Sequence, residues 1–293
     1  MEQLELDENR IIAVLNPLRK KKALYSLIPC IALGSLMLFT SVIECNISPI
    51  IQIGSIAVAV VASLLYYKVS KRYANSYRQM ISQYVLQNYF EGAFYNPLSG
   101  FTKEEFKDAH LIHWRKDFFY HSEDLISGRY ADVKFKQSDI KITHRSGRDT
   151  VTDVDGRLTR FQYKKDIKGR ILVVTDVHNA TLESGLSKVE MEDVEFEKQF
   201  DVFAPDAHSV YYLLTPHFME YLKRLRSIDR ALYISFDGQQ LFILRSGKGG
   251  IFEPPDGPIN VREEIEKNRR ELDEIRKLIE VLKLEGEIAS QPQ

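Results

Sequence analysis

The seven histidines are the side chains whose chemistry stands out first. His110 and His113 form an H-x-x-H pair with His121 close behind, and Asp176 with His178 forms D-x-H. Imidazole and carboxylate together are zinc donors, but neither set is completed by a cysteine or by an H-E-x-x-H helix, so no metal ligand is assigned. Asp149 to Arg157, DTVTDVDGR, has the look of a calcium loop. Aligning Asp153, Asp155 and Gly156 with that loop's third, fifth and sixth positions leaves Val151 first and Gln162 last, where acidic ligands belong. It is read as a turn between strands. Ser246 to Gly250, SGKGG, has glycines but not the spacing of a phosphate loop. There is no G-x-S-x-G elbow and no nucleophile paired with a base. A hydrolase using His178, Asp176 or His144 is therefore the least favoured reading, and no catalytic residue, metal or cofactor is assigned.

The elements around these residues begin with two uncharged runs, Ala23 to Ile43 and Ile47 to Tyr67, each 21 residues long. At about 1.5 Å per residue each spans the roughly 30 Å of a bilayer's hydrocarbon. Only Glu44, Cys45 and Asn46 separate them, which predicts a tight transmembrane hairpin. Pro29 is tolerable as a kink, and Pro49 falls in a first turn. Arg19, Lys20, Lys21 and Lys22 precede the first run and Lys68, Lys71 and Arg72 follow the second, while the loop carries no Lys or Arg. That asymmetry predicts a multi-pass membrane protein with both termini cytoplasmic. The same seven residues are the candidate lipid-facing basic cluster. The cysteines, Cys30 and Cys45, suggest neither a disulfide nor a zinc framework.

Beyond the membrane, Tyr73, Tyr77, Met80, Ile81 and Tyr84 make an apolar stripe on a helix over Val69 to Tyr89, read as a packed face. Thr102 with Glu105 is a capping box opening a helix over Lys103 to Ala109. Strands are expected at Leu125 to Tyr130, Val133 to Thr143, Leu158 to Lys164, Ile171 to Thr175 and Gln199 to Phe203. Leu232 to Phe236 and Leu241 to Arg245 complete the set, with Asp237 and Gly238 as a hairpin turn. Thr215 and Pro216 open a helix through Met219, Leu222 and Leu225. The fold class is α+β, an antiparallel sheet or partly open barrel with packing helices. The tail, Val261 to Leu284, repeats apolar residues every seven, with Ile265, Leu272 and Ile279 on one line and Val261, Asn268, Ile275 and Leu282 on the other. This short heptad helix either docks on its own chain or pairs with a second copy.

VEMEDVEFEKQFDVF (Val189 to Phe203), YYLLTPHFMEYL (Tyr211 to Leu222), ISFDG (Ile234 to Gly238) and IFE (Ile251 to Glu253) together resemble the bacterial membrane-protein family of domain of unknown function 3137. EDLISGRYADVKFKQSDI (Glu123 to Ile140) and KDIKGRILVV (Lys165 to Val174) also match its pattern, so the resemblance runs from about Tyr84 to Leu284. It implies two N-terminal membrane segments and brings no activity or cofactor. Its motif residues are Phe196, Glu197, Phe200, Leu214, Thr215, Pro216, Phe218 and Met219. Where common members carry Glu-Ala-Arg, this chain has Ser209, Val210 and Tyr211. The motif is read as an aromatic corner, with Glu195 and Glu197 turned to water.

The organisation expected is therefore a cytoplasmic segment (1–22), the hairpin (23–67), a membrane-proximal helix (68–95), an α+β domain (96–258) and a charged helix and tail (259–293). With 40 basic against 41 acidic residues and a net charge of −1, general nucleic-acid binding is not expected. The function read from this is a membrane-anchored interaction or scaffold module, with anionic-lipid recognition as the alternative. Its partners would be the lipid bilayer and a protein, or a second copy joined through 261–284.

Overall fold

In the computed structural model the structure describes residues 2–41, 49–86, 89–176, 178, 180–182, 184–247, 250–255 and 257–282. Glu44, Cys45 and Asn46, expected as the hairpin turn, and Leu284 at the end of the tail lie outside the described residues. The chain divides into two compact units, residues 1–84 with 252–268, and residues 85–251 with 269–293.

The first unit contains two long helices, α1 (Glu2–Ser41) and the greater part of α2 (Pro49–Leu86). Helix α1 runs unbroken through Pro17 and Pro29. It already begins at Glu2, an extension that sequence reasoning missed and that Ile11 and Leu15, both buried one turn apart, could have signalled. The stripe on α2 is core as expected: Tyr73, Tyr77 and Ile81 are buried, with Met80 and Tyr84 at its margin. The Tyr73 hydroxyl donates to the Pro255 carbonyl (3.2 Å) and the Tyr77 hydroxyl to Glu264 (2.5 Å). Glu264 lies near the start of α7 (Val261–Val281). Asn268, the polar residue in the heptad seam, accepts from the Phe252 amide (3.1 Å) and donates to the Glu264 carbonyl (2.7 Å), which satisfies it in a buried position.

The second unit is built on an antiparallel sheet of seven strands among the described residues: β1 (Glu91–Asn96), β2 (Phe119–Tyr130), β3 (Val133–Ser146), β4 (Asp149–Val174), β5 (Ser187–Val189), β6 (Asp201–Ala204) and β7 (Ala231–Ser246). Their order is β1-β2-β3-β4-β6-β5, with β7 on the other edge of β4. The α+β expectation holds, and the sheet stays open. Strands β1 and β5 were not foreseen, and β1 corrects the membrane-proximal helix expected over 68–95, because α2 ends at Leu86 and the chain turns into the sheet at Glu91. Two further expectations fail. Asp149 to Arg157 is not a turn but the start of β4, and Asp237–Gly238 is not a hairpin but the middle of β7. Gly238 (φ +55°) pairs with Ile167 between two register shifts, and Gly169 (φ +76°) stands beside the second. Left-handed glycines there bend both strands through bulges without ending them. Gly156 is held in β4 by a close approach, since a Cβ on it would lie 2.1 Å from the Arg245 carbonyl oxygen.

Both sheet faces are covered over part of their length. On one, Ile140, Ile142, Leu158, Val174 and Phe242 pack beneath α3 (Lys103–Asp108) and the segment after it, through Phe106, Leu111 and Phe118. Helix α3 has the capping box read from Thr102 and Glu105. On the other face, Phe236 meets Phe218 of α6 (Pro216–Arg226) with ring centroids 6.2 Å apart. Arg157, also on that face, reaches Glu271 of α7. The heptad residues Leu272, Ile275 and Ile279 are buried within this unit of the chain itself.

Candidate functional site

His144 Nδ1 lies 2.6 Å from Asp153 Oδ2. Asp153 is the extra residue of a β-bulge, because Ile142 faces Val154 while Thr143 faces Thr152, and the bulge turns its carboxylate to the imidazole. His178 gives its backbone amide to Asp176 Oδ1 (3.1 Å) in a local turn. His121 lies 3.6 Å from Glu123 at the surface, while His110 adopts a positive φ of +47° beside the short α3. No three metal-ligating side chains gather among the described residues.

The basic cluster lies in the first unit. Lys20, Lys21, Lys68, Lys71 and Arg72 are exposed; Arg19 and Lys22 are half-buried, and the Lys22 ammonium sits 5.6 Å from the Tyr73 ring centroid. That contact brings the end of the first basic run to the residue following the second. Helix α2 is long and apolar enough over Ile53–Leu86 to cross a membrane.

A second concentration of positive charge escaped the sequence, because three separate strands supply it. Across β2, β3 and β4 the register sets Ser127, Lys136 and Arg160 in one row and Arg129, Lys134 and Gln162 in the next. Directly opposed residues share a face, so all six stand on the same side of the sheet. They line a groove of about 560 Å³ together with Glu91, Gly92, Gly128 and Phe135. An adjoining hollow of about 470 Å³ shares Arg129, Lys134 and Gln162 and adds Lys164 and Asp132. At the covered end Glu105 accepts from Lys136 (2.7 Å) and approaches Arg160 (3.5 Å). Burial alone would raise the Glu105 carboxyl, but the bonds from Lys136 and the Thr102 amide, with the charges of Lys136 and Arg160, hold it below the ordinary carboxylate range. Arg129 and Lys134 have no carboxylate partner among the described residues. The one hint in the sequence is the alternation of Lys134 and Lys136 about Phe135.

The sequence pattern of the family described as protein of unknown function (DUF3137) matches residues 152–284. This segment carries that family's pattern. No curated protein matches it. Among solved structures, the mycobacterial trehalose monomycolate transport factor A, TtfA, is similar at a TM-score of 0.39 and 6% identity, covering 75% of this chain and 98% of that one.

The DUF3137 segment runs from early in β4 beyond α7, so the stretch Glu123 to Ile140 lies outside it. Its signature residues cap and pack α4 and α6. Asp193 caps α4 (Val194–Glu197) by accepting from the amides of Glu195 and Phe196, and receives Lys223 Nζ at 2.9 Å. Phe196 and Phe200 are buried and stacked, 4.6 Å between centroids. Leu214, Phe218 and Met219 are buried, while Thr215 caps α6 with Pro216 in its first turn. Glu197 is half-buried and Glu195 exposed. At the positions that depart from the common pattern, Ser209 bonds the Asp206 cap of α5 (Ala207–Leu213), Val210 is buried, and the Tyr211 hydroxyl donates to the Glu190 carbonyl (3.1 Å).

Tyrosines hold the second half of α7. Tyr221 donates to Glu274 (3.1 Å), Tyr130 to Glu280 (2.8 Å) and Tyr89 to Asp273. Burial first, then the Glu274 charge, pushes the Tyr221 phenol above its ordinary value; for Tyr89 the causes are burial and the bond to Asp273. A phenol whose folded pKa is raised contributes stability that is complete below the unfolded value of about 10 and is lost as pH rises past it. Urea midpoints should therefore hold steady from pH 8 to about 9.5 and fall above about 10. Tyr221→Phe should make that fall shallower; an equal slope in the variant would refute the assignment.

Proposed function

We propose that the protein is a membrane-anchored interaction module of the bacterial inner membrane. Residues 23–43 and 47–67 would form the two-helix hairpin, with both termini cytoplasmic. What carries this reading is the aliphatic surface that α1 and α2 leave uncovered. Leu24, Leu27, Ile31, Ile53, Ile56 and Leu64 are all more than half exposed. So dense an apolar surface is unfavourable in water and suits hydrocarbon. The small residues Ala59 and Ala62 are buried instead, the residue type that lets membrane helices approach closely. The Lys22–Tyr73 contact supports an antiparallel pair, because it sets the two basic runs at one level outside both apolar stretches. The absence of Lys and Arg between the runs supports cytoplasmic termini. In this reading the sheet carries the binding surface.

Thiol labelling tests the arrangement. In spheroplasts, Cys45 should react with a membrane-impermeant maleimide before lysis, whereas a cysteine placed at Gln293 should react only afterwards. Labelling of both before lysis, or of neither, removes the two-span topology, and release of the protein by alkaline carbonate removes the anchor.

A further inference from the structure

We propose that the groove between β2, β3 and β4 is a binding site for a compact anion carrying two or more linked phosphate groups. This goes beyond the membrane-anchor reading and does not depend on it. The argument begins with placement. Neighbouring strands lie about 4.8 Å apart and same-face residues about 7 Å apart along a strand, so adjoining cations of the groove stand at that spacing, and Arg129 and Arg160, two strands and one row apart, are roughly 12 Å from each other. Arg129 and Lys134 face each other across one row, and Lys136 and Arg160 across the next. These four cations meet two carboxylates, Glu91 in the lining and Glu105 at the covered end, where it is taken up by Lys136 and Arg160. In a chain with a net charge of −1, that is a local surplus.

The two rows differ in how they are held. Lys136 and Arg160 are fixed by Glu105 and lie over the Phe101 ring, 4.6 and 5.8 Å from its centroid. Arg129 and Lys134 project as exposed, uncommitted donors. A ligand would thus meet a rigid cationic end and an adaptable one, with Ser127 and Gln162 supplying neutral hydrogen bonds beside them. Guanidinium groups pair with phosphate through two parallel hydrogen bonds, and lysines add point charge. Cations in two rows call for an anion with charge at more than one place, which a single carboxylate or sulfate does not offer. The volume, about 560 Å³ with an adjoining 470 Å³, is that of a small-molecule site. Gly92, in the β1 irregularity at φ +57°, meets nothing within 4 Å of where a Cβ would stand, which keeps that wall open.

The test is calorimetry on the full chain in neutral-lipid nanodiscs, titrated with inorganic tripolyphosphate. The Arg129→Gln/Lys134→Gln double variant should bind at least tenfold more weakly at an unchanged melting temperature. Lys198→Gln, which removes a surface charge at the end of α4, should bind like the parent. No binding by the parent, or equal weakening by both variants, overturns the proposal. Tighter binding of a polyglutamate peptide than of tripolyphosphate overturns the phosphate assignment. Adding phosphatidylinositol bisphosphate to the nanodiscs separates the two sources of this chemistry. Competition with tripolyphosphate assigns the site to a lipid headgroup, and an unchanged affinity assigns it to a soluble phosphate compound; both outcomes uphold the site.

Discussion

Asp139→Ala should lower the stability of the sheet unit by about 3 kcal/mol, the lower end of the range for breaking a buried ion pair, because Glu271 still faces Arg157. Arg157 is 4% exposed and stands directly opposite Asp139 on the neighbouring strand. Its Nε donates to Asp139 Oδ1 (3.0 Å) and its Nη1 to Glu271 Oε2 (3.1 Å). Burial works against this guanidinium's charge, yet the two carboxylates outweigh it and keep the group above its ordinary pKa. A guanidinium does not deprotonate in proteins, so Arg157 stays cationic when one carboxylate is removed, and the loss is not relieved by deprotonation. Glu271 is 34% exposed, so Glu271→Gln should have the smaller effect. The chain's single tryptophan, Trp114, packs against the sheet core and reports unfolding of this unit by fluorescence. A midpoint shift for Asp139→Ala worth less than about 1 kcal/mol would mean that the pair contributes no more than a surface contact.

Phe196→Ala should be of similar size, about 3–5 kcal/mol, because it empties a fully buried aromatic position and removes the ring stacked on Phe200. Glu197→Gln, one residue later and half-buried, should stay within about 0.5 kcal/mol. The pair separates two meanings of one motif. If FEKQF is an aromatic corner, as the packing of α4 indicates, the phenylalanine dominates and the carboxylate is replaceable. If Glu197→Gln instead abolishes a cellular phenotype while leaving the urea midpoint in place, the motif is a contact surface and the corner reading fails.

What proved legible in the sequence was local chemistry. Thr102 with Glu105 opens α3, Thr215 with Pro216 opens α6, and the sevenfold repeat from Val261 marks α7, because a cap or an amphipathic period is satisfied within a few residues. The same local reasoning misled at Asp237–Gly238 and at Asp149 to Arg157. Turn-forming residues were read as chain reversals, whereas pairing between β4 and β7 carries both strands through their glycines. A local preference worth about 1 kcal/mol yields to a long ladder of hydrogen bonds and buried side chains.

The sequence by itself determined the apolar runs with their basic flanks, the α+β class and the family of residues 152–284, since composition, period and short motifs are properties of the chain in order. Only the tertiary structure decided that the heptad seam is filled within its own chain, that Arg157 lies between Asp139 and Glu271, and that Arg129, Lys134, Lys136 and Arg160 share one groove. These depend on strand register, and a shift of one residue would send every side chain to the opposite face.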